Sequence, residues 1–536
     1  MLFFIGLILT TAFGFWWFEP SHISHNFSGI LHVFDYLLFV LLTYIVWHQI
    51  IMELFCWYVA RCIRTPKVYS FPQPNLRVAY ITAFVPGAEP YSILERTLQA
   101  MINVEYSHDT WILDEGNDSV VQKMCTRLHA RHYSRKDRTE FNTDTGKFTK
   151  KTKGGNYNSW FHQHGHEYDI IAQHDVDFIP KENFLVRTLG YFRDPEVAFV
   201  GGPQVYGNTK ASWIARGSAE QTYGFYGSMQ KGFDGHDMTL LIGANHLIRA
   251  SAFVDIDGYT AHIAEDMLTG MKFYAKKWKS VYVPETLLVG EGPSTWPAYF
   301  GQQMRWAYGC MDIVFRHSGK LLPKMHTKHT INYLVLQQFY FLGIAQAVGI
   351  VLLTMYFLFG ITSASMNFLP IVILYIPLLL YQVFFGLWLQ RFNIDPKKEK
   401  GLFLRGKLLF IAVWPIFLLA FVGVVRNKRL TYVVTPKGTE QKNSACPELF
   451  IIHLVLGSIT FLGMIVGYVT GHTAPQMLFW AILNTVFMFG FFFTQFISST
   501  ISKYKGKGLR SLTLSPLFQK VPLPATRTLV THDVAT

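Results

Sequence analysis

The chain has 536 residues, of which 50% are hydrophobic and only 15% are charged, and this composition argues against a wholly soluble protein. The formal net charge of +13 suits anionic lipid headgroups, a nucleotide diphosphate or nucleic acid, so its sign alone does not choose among them. The five cysteines are scattered and form no CxxC pair, which argues against a disulfide framework or a structural zinc site.

Apolar stretches lie at the start of the chain and again after its centre. A helical span needs about 20 mainly apolar residues to cross the hydrocarbon layer of a membrane. Stretches predicted to cross are 2–18, 31–58, 334–361, 368–389, 449–470 and 477–498. The first of them lacks a basic n-region and an AxA-type end, so a cleaved signal peptide is the weaker alternative.

These spans predict how the chain is divided. The regions are two N-terminal transmembrane helices (1–60), a cytosolic domain (61–295), interfacial helices (296–330), a transmembrane pair (331–390), an interfacial helix with a loop (391–448), a second transmembrane pair (449–500) and a cytosolic tail (501–536). We therefore expect a multi-pass membrane protein with both termini in the cytosol.

Short apolar runs alternate with helical patterns in the region 61–295. Val78–Val85, Trp111–Leu113 and Asp169–Gln173 read as strands, whereas Tyr91–Met101 and Ser119–Ala130 read as helices. This alternation predicts a parallel, doubly wound sheet. No GxGxxG follows a strand, which disfavours an ordinary dinucleotide-binding domain.

Acidic residues follow several of the predicted strands. Asp114, Asp175 and Asp177 stand at strand ends, where doubly wound sheets bind their ligands. Two carboxylates one residue apart on a turn can present oxygen atoms to Mg²⁺ or Mn²⁺ and to a diphosphate. Such pairs are also frequent in solvated turns, because Asp populates turns freely.

Two later segments carry residues suited to transfer chemistry. Glu265 and Asp266 open a predicted helix, where acidic residues favour the helix dipole, but Asp266 could also act as a general base toward an attacking hydroxyl. Gln302, Arg305 and Trp306 fall at i, i+3 and i+4 on a helix beginning near Pro297, so they share one face. A guanidinium can neutralise a departing diphosphate, and an indole can stack on a sugar.

The apolar stretch 403–425 could cross a membrane by hydropathy, but charge placement argues otherwise. If only the six spans above cross, the loops 19–30, 362–367 and 471–476 lie together on one side and contain no Lys or Arg. The basic clusters near 391–407, 426–429 and 503–510 then lie on the other, cytosolic side, which is the positive-inside pattern. We therefore predict an interfacial or re-entrant helix, with a helix buried among the spans as the alternative.

The order of these residues resembles the D, D, D, QxxRW signature of family 2 processive glycosyltransferases, with cellulose synthase the nearest type. Lys153-Gly154-Gly155-Asn156-Tyr157-Asn158 resembles the KAGNxN segment, and Tyr432-Val433-Val434-Thr435-Pro436-Lys437-Gly438 resembles the FxVTxK gating loop. The chain departs from the family where Pro86-Gly87-Ala88-Glu89-Pro90 replaces a PTYNE-like segment, and where Ala-Glu-Asp replaces TED.

The resemblance implies a GT-A-type α/β domain, doubly wound with a mostly parallel sheet, inserted in about six transmembrane helices plus interfacial helices. It also implies a role for each matching residue. Asp266 would be the catalytic base; Asp114, Lys153, Asp175, Asp177 and Arg305 would bind the donor; Gln302, Trp306 and Glu265 would bind the acceptor; Asp175 and Asp177 would hold the metal, Mg²⁺ or Mn²⁺; Tyr432, Val434, Thr435 and Lys437 would form the gating loop.

The implied activity is polymerisation of a cellulose-like β-glucan from UDP-glucose, with export across the plasma membrane. The implied partners are a UDP-sugar donor, the growing polysaccharide, the lipid bilayer and accessory export subunits. No nucleic acid is expected, because the basic residues lie at the ends of spans. Polar and aromatic residues of the spans suggest a lining for the export channel, namely Gln337, Gln338, Tyr340, Gln346 and Trp388.

Three other functions remain open at this point. A chitin- or hyaluronan-type synthase would use UDP-GlcNAc instead of UDP-glucose. A non-processive lipid-linked glycosyltransferase would share the nucleotide-binding fold, although residues 302–306 argue against it. A transporter or channel with a regulatory cytosolic domain would fit the spans but would leave the ordered carboxylates unexplained.

Overall fold

The computed structural model describes residues 2–64, 72–73, 75–428, 430 and 446–504, with the side chains of 496–504 left aside. The chain begins with two apolar helices, α1 (Leu2–Trp17) and α2 (Val33–Ala60). The end of α2 reaches the α/β domain, because Phe55 and Val59 belong to the core on one face of its sheet.

The described residues of the domain that follows form ten strands in two sheets. The strands are β1 (Val78–Phe84), β2 (Asp109–Asp114), β3 (Arg131–Tyr133), β4 (Ile170–Asp175), β5 (Ile179–Pro180), β6 (Val197–Gly201), β7 (Val205–Tyr206), β8 (Asn245–Arg249), β9 (Lys279–Tyr282) and β10 (Leu288–Gly290). The large sheet has the order β3-β2-β1-β4-β8-β6-β9, and the small sheet has the order β5-β10-β7.

The large sheet is mostly parallel, with only β8 antiparallel to both of its neighbours, β4 and β6. Its central strands β1 and β4 are buried along nearly their whole length because helices cover both faces. Strand order reverses at β1, which pairs with β2 on one side and β4 on the other. A crevice therefore opens at the carboxyl ends of these strands, where doubly wound sheets bind ligands.

The helices of the domain match the predicted alternation. They are α3 (Tyr91–Ile102), α4 (Ser119–Arg127), α5 (Lys153–His164), α6 (Phe184–Leu189), α7 (Trp213–Gly224), α8 (Gln230–Gly235), α9 (Ala250–Asp255), α10 (Glu265–Ala275) and α11 (Trp296–Ile313). Side chains cap several of them: Asp118 accepts from Val120 and Val121 of α4, and Thr295 accepts from Ala298 of α11. The predicted fold class, a GT-A-type α/β domain set among apolar helices, is confirmed.

The remaining helices carry most of the apolar length. They are α12 (Gly319–Leu321), α13 (Thr327–Gln338), α14 (Leu342–Phe359), α15 (Phe368–Leu389), α16 (Leu404–Val425), α17 (Ile451–Thr470) and α18 (Pro475–Tyr504). Within the part of the chain that the structure describes, six helical segments are long and apolar enough to cross a membrane, and they include α16. The predicted first span is a helix of 16 residues, which is shorter than the roughly 20 residues that a span needs.

Helix α16 packs against helices of the α/β domain as well as against α14. A Cβ on Gly217 of α7 would lie 2.7 Å from Leu409 Cδ1, so the two helices approach closely only because this position has no side chain. Leu409, Val413 and Phe417 of α16 share a core with Met304 and Met311 of α11. The helix predicted to be interfacial is therefore joined to the domain along much of its length.

Two residues suggested as a channel lining do not belong together. Gln337 is 1% exposed and exchanges hydrogen bonds with Ser318. Trp388 packs with the cluster of α1, α2 and α15, whereas Tyr340 packs with α11 and α16. The suggestion of one shared lining was wrong for Gln337 and Trp388, because sequence spacing shows which face of a helix is polar but not which helix covers it.

Candidate active site

Asp114 ends β2 beneath a tight loop. Its side chain is fully buried and accepts hydrogen bonds from Gly116 N at 2.8 Å, Asp118 N at 2.6 Å and His132 Nε2 at 3.0 Å. Asp114 thus holds the loop that starts α4. Asp114 is aligned with Phe84 of β1, and Asp175 is aligned with Ala83 from the other side of the same strand. The two aspartates are therefore separated by two strand spacings of about 4.8 Å, or about 10 Å.

Lys153, which pairs with Asp175, is linked to Asp266 through the backbone of Gly243. Lys153 Nζ lies 2.5 Å from Asp175 Oδ1 and 2.9 Å from the carbonyl oxygen of Gly243. The N–H of Gly243 donates to Asp266 Oδ2 at 2.8 Å. The fold therefore brings Lys153 and Asp266, which are 113 positions apart in the sequence, into one cluster at the carboxyl end of β4.

Glu265 and Asp266 lie at the start of α10, partly exposed at this cluster. Burial raises the pKa of Asp266, against the N–H groups of Gly243 and Met267 and the charge of Lys153, which lower it. Burial and then the neighbouring charge of Asp266 raise the pKa of Glu265 as well. Two adjacent carboxylates with raised pKa values in a cleft are typical of a site for general acid or base chemistry.

The glycines of Lys153-Gly154-Gly155 allow α5 to begin in a crowded place. A Cβ on Gly155 would lie 2.3 Å from the carbonyl oxygen of Thr149, and one on Gly154 would lie 3.1 Å from Tyr259 Cβ. Asn158 bonds to both the N–H and the carbonyl of Tyr259. This segment therefore holds the loop before α10 as well as Lys153 itself.

Asp175 and Asp177 flank the turn between β4 and β5. Asp177 is 3% exposed and accepts from Glu291 N at 3.1 Å, whereas Asp175 is partly exposed beside Lys153. Two carboxylates are fewer ligands than an all-protein site needs, but they fit a Mg²⁺ or Mn²⁺ ion whose other ligands are water and substrate phosphates. The residues present thus fit the expected ion.

The face of α11 that carries Gln302, Arg305 and Trp306 also carries Gly309. A Cβ on Gly309 would lie 2.6 Å from Ala264 Cβ, so this face packs directly against the residue before Glu265. Gln302 donates to Tyr206 Oη at 3.4 Å, and Trp306 is 37% exposed. Gln302, Arg305 and Trp306 thus lie on one face of α11, as their spacing predicted, and that face packs near the start of α10.

A hydrogen-bond chain that the sequence did not reveal supports this contact. Asp312 of α11 lies 3.0 Å from His262 Nε2, and His262 Nδ1 accepts the N–H of Ala264 at 3.0 Å. Arg316 pairs with Asp312 and donates to the carbonyl oxygen of Val424 at 3.0 Å. Burial raises the pKa of Asp312, but His262 and Arg316 together hold it below its usual value.

His262, Asp312 and His317 also have the composition of a metal site, with ligand atoms within 4.8 Å of one another. A metal on His262 Nε2 would require the ring proton on Nδ1, yet Nδ1 is the atom that accepts the N–H of Ala264. The ring therefore carries its proton on Nε2 and donates it to Asp312. The cluster forms a link between α11 and the loop before α10, and we do not assign a metal to it.

Other supporting residues were also missed. Arg135 is fully buried and bonds to Glu115 and to the carbonyl oxygens of Phe141 and Thr152. No local pattern distinguishes it or His132 in the sequence, because their partners are defined only by the fold. The residues assigned to the gating loop, Tyr432, Val434, Thr435 and Lys437, lie outside the described residues.

Residues 170–389 match the family described as Glycosyl transferase family group 2. The chain is 26% identical over 252 residues to the UDP-forming catalytic subunit of cellulose synthase 1 from Komagataeibacter xylinus, a match that covers 45% of this chain and 32% of the relative. It is 26% identical over 312 residues to the UDP-forming cellulose synthase catalytic subunit of Pseudomonas fluorescens (strain SBW25), covering 56% of this chain and 40% of the relative. The chain thus spans well under two thirds of these relatives.

Among solved structures, the chain is similar to the mannosyltransferase PcManGT from Pyrobaculum calidifontis in complex with GDP-Man and Mn²⁺. That likeness has a TM-score of 0.47 and 14% sequence identity, and it covers 73% of this chain and 100% of the other.

Proposed function

We propose that this chain, a cellulose synthase-like protein with a family 2 glycosyltransferase domain, transfers glucose from UDP-glucose to a growing β-glucan and passes the polymer across a membrane. The observation that carries the proposal is the bridge through Gly243, which joins Lys153 and Asp175 on one side to Asp266 on the other. Groups suited to a diphosphate thereby lie beside a group suited to accept a proton.

The donor would bind at the carboxyl ends of β1, β2 and β4. Asp175 and Asp177 would hold Mg²⁺ or Mn²⁺ together with the donor phosphates, and the ion would neutralise charge on the departing diphosphate. Lys153 pairs with Asp175 in the structure. The donor phosphates would compete with Asp175 for Lys153, which would then contribute a second positive charge near them. Asp114, which is buried, would act by shaping the loop that contacts the uridine part of the donor.

The acceptor would approach from the side of α11. Asp266 would accept the proton of the attacking hydroxyl, and its raised pKa increases its strength as a base. Attack from the face opposite the leaving group would invert the anomeric carbon. Trp306 would stack on the terminal sugar, with Gln302 and Glu265 beside it, and Arg305 would stabilise the leaving diphosphate.

Export would follow from the position of α11 between the domain and the apolar helices. Met304 and Met311 of α11 pack with α16, so a polymer end held at Trp306 would lie close to the membrane-embedded helices. The segment with Tyr432, Val434, Thr435 and Lys437 would contact the bound donor, as the family resemblance implies.

Purified protein supplied with Mg²⁺ and one UDP-sugar at a time would test the proposal. We expect UDP release and an insoluble polymer with UDP-glucose, and digestion of that polymer by linkage-specific hydrolases would identify its bonds. Polymer from UDP-GlcNAc instead would support the chitin- or hyaluronan-type alternative. UDP release with none of the sugars would contradict the proposal and revive a transporter or channel function.

Reconstituted vesicles would test export separately from synthesis. With the α/β domain facing outward, we expect UDP-glucose added outside to produce polymer that is protected from hydrolases inside the vesicles. Polymer that accumulates only outside would contradict the export step while leaving the transfer step intact.

A further inference from the structure

A cavity of about 480 Å³ lies between α7 and the start of α16, and none of its lining residues belongs to the proposed active site. We call it the headgroup pocket. Its charged lining consists of Arg216 and Glu220 from α7 and Lys400 and Arg405 from the chain around the start of α16. The lining therefore contains three basic side chains and a single carboxylate.

Glu220 organises the basic side chains of the headgroup pocket. Its side chain is only 4% exposed and accepts from Arg405 Nη1 at 3.0 Å, Arg216 Nε at 3.3 Å and Gly406 N at 3.2 Å. The side chains of Arg405 and Arg216 nevertheless remain 49% and 38% exposed. Because a guanidinium has five N–H donors, each can hold Glu220 and still donate outward to an anion.

Exposed apolar side chains form the rim of the same pocket. Leu402, Leu404 and Trp213 are 51%, 60% and 41% exposed. Exposed apolar side chains beside basic groups match the chemistry of a lipid. Its acyl chains favour apolar surroundings, and its phosphate favours basic ones.

The pocket lies at the level where apolar helices end. Helix α15 ends at Leu389 and α16 begins at Leu404, so residues 390–403 join the same ends of two helices that are apolar enough to lie in a membrane. Whichever side of the membrane this is, it is a boundary between acyl chains and headgroups. Basic residues at such a boundary attract anionic lipids, and Trp is enriched there.

We propose that the headgroup pocket binds the phosphate of an anionic glycerophospholipid, whose acyl chains lie along the rim formed by Leu402 and Leu404. Arg216, Lys400 and Arg405 contact the phosphate, and Glu220 keeps the two guanidinium groups in place. Since α7 belongs to the α/β domain and α16 to the apolar helices, the bound lipid joins the domain to the membrane.

The test uses the full chain in nanodiscs of phosphatidylcholine with a minor fraction of phosphatidylglycerol, with bound lipids counted by native mass spectrometry. Lys400→Gln removes an exposed charge and is expected to lower phosphatidylglycerol retention about fivefold. Glu220→Gln keeps an amide oxygen that can still accept from the guanidinium groups and from the N–H of Gly406, but it removes the competing negative charge, so it is expected to increase retention. Lys181→Gln, at an exposed lysine near β5, is the matched control and should change nothing.

Opposite effects of the first two variants, with no effect of the control, support the proposal. Equal losses in Lys400→Gln and Lys181→Gln, or weaker retention in Glu220→Gln with an unchanged unfolding temperature, would overturn it. An arm with inorganic phosphate separates the sources of the anion. If phosphate displaces phosphatidylglycerol fully, the pocket is a site for a soluble anion and the lipid assignment fails.

Discussion

At the scale of single residues, Asp266 carries the chemistry that the proposed function needs. It accepts from Gly243 N and Met267 N, and burial raises its pKa. Asp266→Asn keeps the shape of the side chain but removes the basic oxygen, so we expect UDP release from UDP-glucose to fall by about 10²- to 10⁴-fold. UDP affinity, measured by calorimetry, should be unchanged.

The control for Asp266→Asn is Asp255→Asn, which alters a carboxylate that contacts Lys276 and Trp278 on the surface. This variant should retain full activity. Polymer synthesis at the normal rate by Asp266→Asn would reject the assignment of the base.

Lys153 influences the pH at which Asp266 ionises. Its charge lowers the pKa of Asp266, in opposition to burial. Lys153→Met removes that charge, so the pKa rises further and the acidic limb of the plot of kcat against pH should move to higher pH. A base must be ionised to act, which fixes the direction of this shift. Lys276→Met, at an exposed lysine paired with Asp255, should leave the limb in place, and a shift to lower pH in Lys153→Met would contradict the prediction.

At the scale of elements, the contact of α11 with the loop before α10 decides whether the site is assembled. Gly309→Ala places a methyl group 2.6 Å from Ala264 Cβ, a distance that forces the helix or the loop to move. We expect a loss of about 1–3 kcal/mol in the free energy of unfolding and a marked loss of UDP release.

Gly301→Ala is a matched control on the same helix. A Cβ on Gly301 meets no atom within 4 Å, so this substitution should stabilise α11 by up to about 1 kcal/mol through helix propensity and leave activity intact. Thermal unfolding and UDP release measured on both variants check the pair. Equal behaviour of the two would mean that the close contact at Ala264 does not matter.

The chain from His262 through Asp312 to Arg316 holds the same elements together by hydrogen bonds. Asp312→Asn removes the charge that attracts Arg316, so the loop before Asp266 should be positioned less accurately. We expect kcat to fall about ten- to a hundredfold with little change in KM for UDP-glucose. Asp312→Glu should restore part of kcat, and Asp395→Asn, which alters a surface pair with Lys398, should have no effect. A rise in KM alone would contradict a positioning role.

At the scale of the whole molecule, the side of the membrane reached by the end of α16 is still a prediction. We expect Asn367→Cys to react with a membrane-impermeant maleimide in intact cells, and Arg426→Cys to react only after permeabilisation. The parent chain, with its five native cysteines, gives the background. Reaction of both variants in intact cells would mean that α16 crosses the membrane. The prediction of an interfacial helix from charge placement would then be wrong.

Local patterns were sufficient for the elements and for the order of the reactive residues. The helices around Tyr91, Ser119 and Glu265 and the strands ending at Asp114 and Asp175 begin and end within a few residues of their predicted bounds. Periodicity and capping depend on residues that are close together in the chain, so both can be read from the sequence. The D, D, D, QxxRW order likewise needs no coordinates.

Only the tertiary structure decided which of these residues meet and what holds them. The backbone of Gly243 links Lys153 to Asp266, His132 bonds to the buried Asp114, and His262 bonds to Asp312, and each of these contacts joins separate segments of the chain. The packing of α16 on α7 at Gly217 and the misjudged lining at Trp388 have the same origin. Such contacts depend on how the sheet orders its strands and how the helices stack on it, and side-chain periodicity along one segment carries no information about either.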